Sequence, residues 1–152
     1  DIILVEGQSA ISHPAFLSSI GILKGSMPDG VILQHPPARK FRCDFPSLGM
    51  PTPESEIKLI ETISKTKVIA ITLSHEGLNE QEILETIEDY ELHLRLPTTD
   101  VLNSGCKKLV QALSDQFPTL RNKIKPENLT IFSTHLGHNL NYLEGIDEII
   151  NT

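Results

Sequence analysis

Tryptophan is absent from these 152 residues and aromatic side chains make up only 5% of them, which leaves no stacking platform for single-stranded nucleic acid. Basic residues are the minority: 13 Lys and Arg against 20 Asp and Glu give a net charge of -7 and a pI near 5.3. That is the wrong sign for a module that must displace counterions from a phosphate backbone, so nucleic acid is not an expected partner. The two cysteines, Cys43 and Cys106, lie far apart with no CxxC spacing, which indicates neither a zinc site nor a disulfide framework. A reducing, cytoplasmic setting is the corresponding expectation. No apolar run approaches the ~20 residues of a membrane span, no signal peptide is visible, and no membrane partner is expected. The common signature loops are missing too. There is no phosphate-cradling GxxxxGK(S/T), since Gly21-Ile22-Leu23-Lys24-Gly25-Ser26 is not one. There is also no GxGxxG dinucleotide loop, and Ser9 lacks the flanks of a GxSxG nucleophile elbow.

What is present is ordinary globular composition, with 39% hydrophobic residues, 22% charged residues and a mean hydropathy of -0.09. A chain of this length fits one domain, here residues 1–152, and hides roughly 68–70% of its unfolded surface. The stretch Asp1-Ile2-Ile3-Leu4-Val5-Glu6-Gly7-Gln8-Ser9 reads as a strand buried on both faces and ending at Glu6. Gly7 then turns the backbone, projecting Glu6, Gln8, Ser9 and Ser12 at the carboxyl edge of a sheet. A chain that starts inside a strand reads as a fragment, whose missing N-terminal segment belongs to the same protein.

Further along, Pro14 opens a helix over Ala15 to Lys24, and Gly30-Val31-Ile32-Leu33-Gln34 is a second short apolar strand. Residues 35–53 are read as a long irregular loop carrying five prolines. Thr52 and Pro53 start a helix to Ser64 with an Ile57, Ile60, Ile63 stripe. Lys67 to Leu73 is a continuous apolar, central strand, and Asn79 with Glu82 forms a capping box for a helix to Tyr90. Leu92 to Leu96 is read as a last parallel strand, and Asn103 as the cap of a helix to Phe117 with Cys106, Leu109, Val110 and Leu113 inward. Beyond residue 118, Leu129 to Phe132 suggests a strand and Leu143 to Ile150 a short helix. Alternation of strand and helix gives the fold class: α/β, a parallel sheet with helices on both faces.

Three strand ends then deliver polar groups to one edge: Glu6-Gly7-Gln8-Ser9, His35 with Arg39, Lys40 and Arg42, and Ser74-His75-Glu76. Basic groups beside a carboxylate suit a phosphate-bearing ligand, with Mg²⁺ held through Glu6 or with Arg39 and Arg42 clamping phosphate oxygens. The same three basic residues also read as a solvated charge cluster on a loop. His13 and His35 are candidate acid or base groups because imidazole titrates near neutrality. His135 and His138 have metal-like spacing but lack a third ligand and are not taken as a metal site. Asn128-Leu129-Thr130 is a chance glycosylation sequon.

The blocks Asp1 to Ser9 with His13-Pro14-Ala15, Gly25 to His35, and Ile69 to Leu73 with Gly77-Leu78 resemble the C-terminal P-loop-type domain of the D-glutamate N-acetyltransferase-like family. That family was long carried as a domain of unknown function, with a Rossmann-like domain in front and its P-loop upstream of the Glu-Gly strand. The strand followed by Glu-Gly is also similar to the acidic-Gly signature of dethiobiotin synthetase-like P-loop enzymes. The resemblance implies a P-loop-NTPase-like three-layer sandwich, a pocket for acetyl-CoA or a nucleoside triphosphate, and acetyl transfer to the amine of D-glutamate. It implies Glu6 near metal and phosphate, with Gly7, Gln8 and Ser9 lining the pocket. On this reading Glu6 and His35 are the catalytic residues, and Gly7, Gln8, Ser9, His13, Arg39 and Arg42 bind the cofactor. A small-molecule substrate is the expected partner and a homo-oligomer is left open. The alternative is a P-loop-like nucleotide-binding or ATP-hydrolysing regulatory module without acetyltransferase activity.

Overall fold

The strand Val31–His35 (β1) is covered on alternate positions and pairs in parallel with Val68–Leu73 (β4), in which every residue is buried. A strand with that profile belongs in the middle of a sheet covered by helices. Thr98–Thr99 (β5) completes it on the other side, giving the order β1-β4-β5 with Leu33 opposite Ile71 and Ile71 opposite Thr98. The computed structural model describes residues 2–121. The expectations for Leu129 to Phe132, Leu143 to Ile150, His135, His138 and the sequon lie outside them.

The crossovers are the helices Pro53–Ser64 (α2) and Glu80–Leu94 (α3). Proline pre-sets the first turn of α2, Thr52 caps it by accepting from the Ser55 N–H at 3.3 Å, and Lys65 stops it in the left-handed region. Asn79 and Glu82 close a reciprocal capping box on α3, and Arg95 ends it in the left-handed region. Ser18–Ser26 (α1) packs against α2, placing Leu23 beside Ile11, Ile60 and Val68. Ile71 and Leu73 meet Ile83 and Ile87 of α3 in a second cluster. Val31 and Leu33 pack into these clusters, whereas Ile32 and Gln34 on the alternate positions of β1 are exposed. Among the described residues no helix is long and apolar enough to cross a membrane.

Four expectations are corrected. Residues 2–6 form no strand: Ile2 and Val5 are 56% exposed, Ile3 and Leu4 85%. A continuous apolar run becomes a buried strand only where neighbours cover it and pair its backbone. Leu92 to Leu96 is not a strand either, because α3 continues through Leu94 and β5 begins only at Thr98. The helix assigned to Asn103 through Phe117 is two helices, Val101–Ser104 (α4), capped by Asp100, and Lys107–Gln116 (α5). Gly105, at φ 71, breaks them apart. The long loop after β1 contains an antiparallel hairpin, Phe41–Arg42 (β2) with Phe45–Gly49 (β3), turned at Asp44 with φ 63. The short helix Pro118–Arg121 (α6) follows α5.

Candidate functional site

Parallel strands deliver their carboxyl ends to a common rim, and here that rim is tied together residue by residue. The Ser74 N–H, just past β4, donates to the His35 carbonyl at the end of β1 at 3.0 Å. His75 follows, and its Nδ1 lies 2.6 Å from Oδ2 of Asp100, the residue after β5. Arg39, after β1, forms an exposed ion pair with Glu76. Gly77, at φ 77, lets the loop after β4 turn beside Ala38. Open α/β sheets bind ligands along this edge.

The His75 and Asp100 pair has the form of an oriented base. Asp100 is wholly buried, and its Oδ1 accepts from the Leu102 N–H at 3.0 Å while Oδ2 faces His75. A carboxylate accepts only, so Nδ1 carries the proton that it donates to Asp100, and in the neutral ring the lone pair is then on Nε2. The His75 side chain is 37% exposed, and among the described residues Nε2 has no hydrogen-bond partner.

His35 and His13 are built differently. The His35 Nε2–H donates to the Pro51 carbonyl at 3.2 Å, and Nδ1 accepts from the Tyr90 hydroxyl at 2.9 Å. Burial lowers the His35 pKa, partly opposed by the bond to Pro51 and by Glu54 and Glu56, and holds the ring neutral. Burial likewise pushes the Tyr90 hydroxyl up to about 12, keeping it a donor. His13 is buried between Phe16 and Phe45; its Nε2 is 3.1 Å from the Cys43 carbonyl, and its Nδ1 accepts from the Ala15 N–H. Both imidazoles have every polar atom engaged.

The remaining sequence-predicted residues divide into two groups. Glu6, Gly7, Gln8 and Ser9 lie on an exposed segment tethered at its end, where the Ser19 hydroxyl donates to the Gln8 carbonyl and lies 3.2 Å from that of Ser9. Among the described residues no hydrogen bond or ion pair joins Glu6 to His35, Arg39 or Arg42. No group of three or more His, Cys, Asp or Glu side chains is disposed there to hold a metal ion. Mg²⁺ needs only one or two carboxylates when phosphate oxygens and water fill its shell, so Glu6 alone fits that ion only alongside a phosphate-bearing ligand. Arg42 donates from Nη2 to the Ser12 hydroxyl at 2.8 Å, and these two residues line, with Pro51, a cleft of about 420 Å³. Pro51 thus links cleft and rim through His35.

Asp100 escapes a reading of the sequence because its place depends on a two-residue strand. The only available signal was an acid directly before a short helical run, the position of a cap.

Residues 1–110 match the family model described as a domain of unknown function, DUF1611_C, a P-loop domain. The chain is 27% identical over 117 residues to a D-glutamate N-acetyltransferase of Tritonibacter scottomollicae, covering 73% of this chain and 35% of that protein. To a D-glutamate N-acetyltransferase of a Pseudoalteromonas species it is 28% identical over 116 residues, covering 72% and 35%. The chain therefore spans about 35% of the length of these curated relatives. A DUF1611 family protein from Anabaena variabilis, solved by crystallography at 2.30 Å, superposes with a TM-score of 0.68 at 26% identity, covering 72% of this chain and 34% of that one.

Proposed function

Because the chain belongs to the DUF1611 family, through its C-terminal P-loop domain, we propose that it forms part of an enzyme that transfers an acetyl group from acetyl-CoA to the amine of D-glutamate. The relatives' names supply the reaction; the observation that carries it to these residues is His75, held by buried Asp100 with Nε2 open at the strand rim. An amino acid arrives as an ammonium ion, which cannot attack a thioester until it loses a proton. His75 Nε2 takes that proton, and Asp100 stabilises the imidazolium that results. The freed amine forms the new C–N bond as the C–S bond breaks, and the second proton that the nitrogen sheds in becoming an amide goes to the departing sulfur, so that coenzyme A leaves as its thiol. Arg39 and Lys40 supply the positive charge for the phosphates of the donor, and Glu6 is the carboxylate for Mg²⁺ when a phosphate-bearing ligand is bound. His35 and His13, with both nitrogens bonded, hold the rim and the hairpin in place rather than exchanging protons.

The test is acetylation of D-glutamate from acetyl-CoA by the full-length protein. The expected result is activity in the wild type and a fall of roughly 10²–10⁴ in kcat for His75→Ala, the usual contribution of a positioned base. Nucleotide turnover with no acetylation would replace this reading with that of a regulatory P-loop module, which the P-loop description of the family favours as the second choice.

A further inference from the structure

The hairpin of β2 and β3 is held to the rest of the protein at few points. Its strands have two and five residues, and a lone two-stranded hairpin is at best marginally stable. At its base the Met50 N–H donates to the Lys40 carbonyl at 3.0 Å, and Pro51 just beyond is fixed by His35. Its far end rests on Ser12 and His13. Arg42 Nη2 donates to the Ser12 hydroxyl at 2.8 Å, His13 Nε2 lies 3.1 Å from the Cys43 carbonyl, and the His13 ring meets Phe45 edge-on at 5.4 Å. Ile11 and His13 are buried, so this seat is itself anchored.

The seat leaves two atoms without counterparts. Arg42 Nη1 is buried and has no hydrogen-bond partner, and neither has Oε1 of Glu56. Glu56, in the first turn of α2, is 3% exposed, and its Oε2 receives the Ser12 N–H at 3.4 Å. Both atoms are sealed from solvent, so no dissolved ligand fills them. Buried charged groups are almost always satisfied, and leaving one unpaired is costly. A guanidinium and a carboxylate bound to the two ends of one serine are each other's complement.

We infer that the hairpin is a two-position flap with Arg42 as its latch: from the seat on Ser12 and His13 it swings about its base to a second seat, where the guanidinium closes on the Glu56 carboxylate. Two parallel charge-assisted bonds to a carboxylate outweigh one to a hydroxyl, and they satisfy both orphan atoms. The first seat retains the Cys43 and Phe45 contacts with His13 instead. Two such competing sets of contacts make an element bistable. The cleft of about 420 Å³ lined by Arg42 of the hairpin and Glu56, Lys58 and Leu59 of α2 is the space into which the flap moves. Arg39 and Lys40 lie at its base and turn with it; that they thereby close on a phosphate-bearing donor rests on the acetyl-transfer reading above.

Hydrogen exchange of the full-length protein over residues 41–50, read by mass spectrometry without ligand, tests it. Ser12→Ala weakens the first seat and should speed exchange there about 10- to 100-fold, the effect of losing one hydrogen bond to a charged group. Glu56→Gln removes the second seat but disturbs the first little, because the 3.4 Å bond to Ser12 is long and an amide oxygen still accepts. Exchange should therefore slow, by about threefold or more. A Glu56 that merely supports the Ser12 turn would speed exchange when replaced. Faster exchange in both variants overturns the inference, and so does unchanged exchange in either. Circular dichroism checks folding. Should Glu56→Gln fail to fold, a crystal structure of Ser12→Ala decides. Its guanidinium is expected within about 4 Å of the Glu56 carboxylate, the reach of an ion pair, and a guanidinium placed anywhere else overturns the flap. Opposite shifts without acetyl transfer keep the flap and remove the catalytic reading. Acetyl transfer with like shifts removes the flap alone.

Discussion

Asp100 serves two partners with two oxygens, and substitutions can take them away separately. Asp100→Ala deletes the cap on the Leu102 N–H and strands the His75 Nδ1–H. Losing an N-cap costs about 0.5–2 kcal/mol, and losing a hydrogen bond to a charged group about 1.5–3 kcal/mol. Together they predict a loss of about 2–5 kcal/mol against a total stability of about 5–15 kcal/mol. Asp100→Asn is a sharper probe. Its carbonyl oxygen keeps the cap while its amide nitrogen faces His75, forcing Nδ1 to accept and moving the ring proton to Nε2, where the lone pair is needed. Urea denaturation should show Asn losing less than half of what Ala loses, whereas the acetylation rate should fall for Asn by at least ~100-fold, the lower range for removing a general base. Equal urea midpoints for the two variants would refute the division of labour between the two oxygens. A wild-type rate in Asp100→Asn would refute the role of His75.

Two further outcomes follow from the core and from the buried imidazole. Ile71 is fully buried at the centre of β4, so Ile71→Ala should cost about 2–5 kcal/mol, while Leu84→Ala, on an exposed position of α3, should stay within about 0.5 kcal/mol; equal losses in chemical denaturation would contradict the placement of the core. His35 is held below its ordinary pKa of 6.5 by burial, so below that value the unfolded chain takes up a proton before the folded one does. Its contribution to stability is complete above pH 6.5 and is lost as the pH falls from there through the lower folded value. Urea midpoints measured from pH 8 to pH 5 should fall less steeply in His35→Gln than in the wild type, and an identical slope would remove His35 as the source.

The parts of the fold legible in the sequence are those where local chemistry and burial agree. Pro53 behind Thr52, the Asn79 and Glu82 box, and the unbroken apolar run of β4 each specify their element without help from distant residues. The apolar run at residues 2–5 shows the same pattern and forms no strand, because pattern reports what a segment could bury and not whether anything covers it. Leu92 to Leu96 reads as extended, but Leu92 to Leu94 lie among good helix formers, and α3 simply continues to the left-handed Arg95. The site follows the same division. Arg42 and the rim histidines were visible as residue types, whereas Glu56 and Asp100 were not. Their significance comes from burial and from which atoms remain without partners, properties that only packing creates.

Four bare aliphatic side chains in a row, Ile2 to Val5, also have a practical consequence. An uncharged, β-prone tetrapeptide that stays wetted is adhesive, and two molecules meeting through it can zip backbone to backbone. Crowded stocks of this polypeptide will therefore age towards clumped, light-scattering material sooner than dilute ones, and an aspartate or lysine spliced into that run is the simplest way to keep them clear.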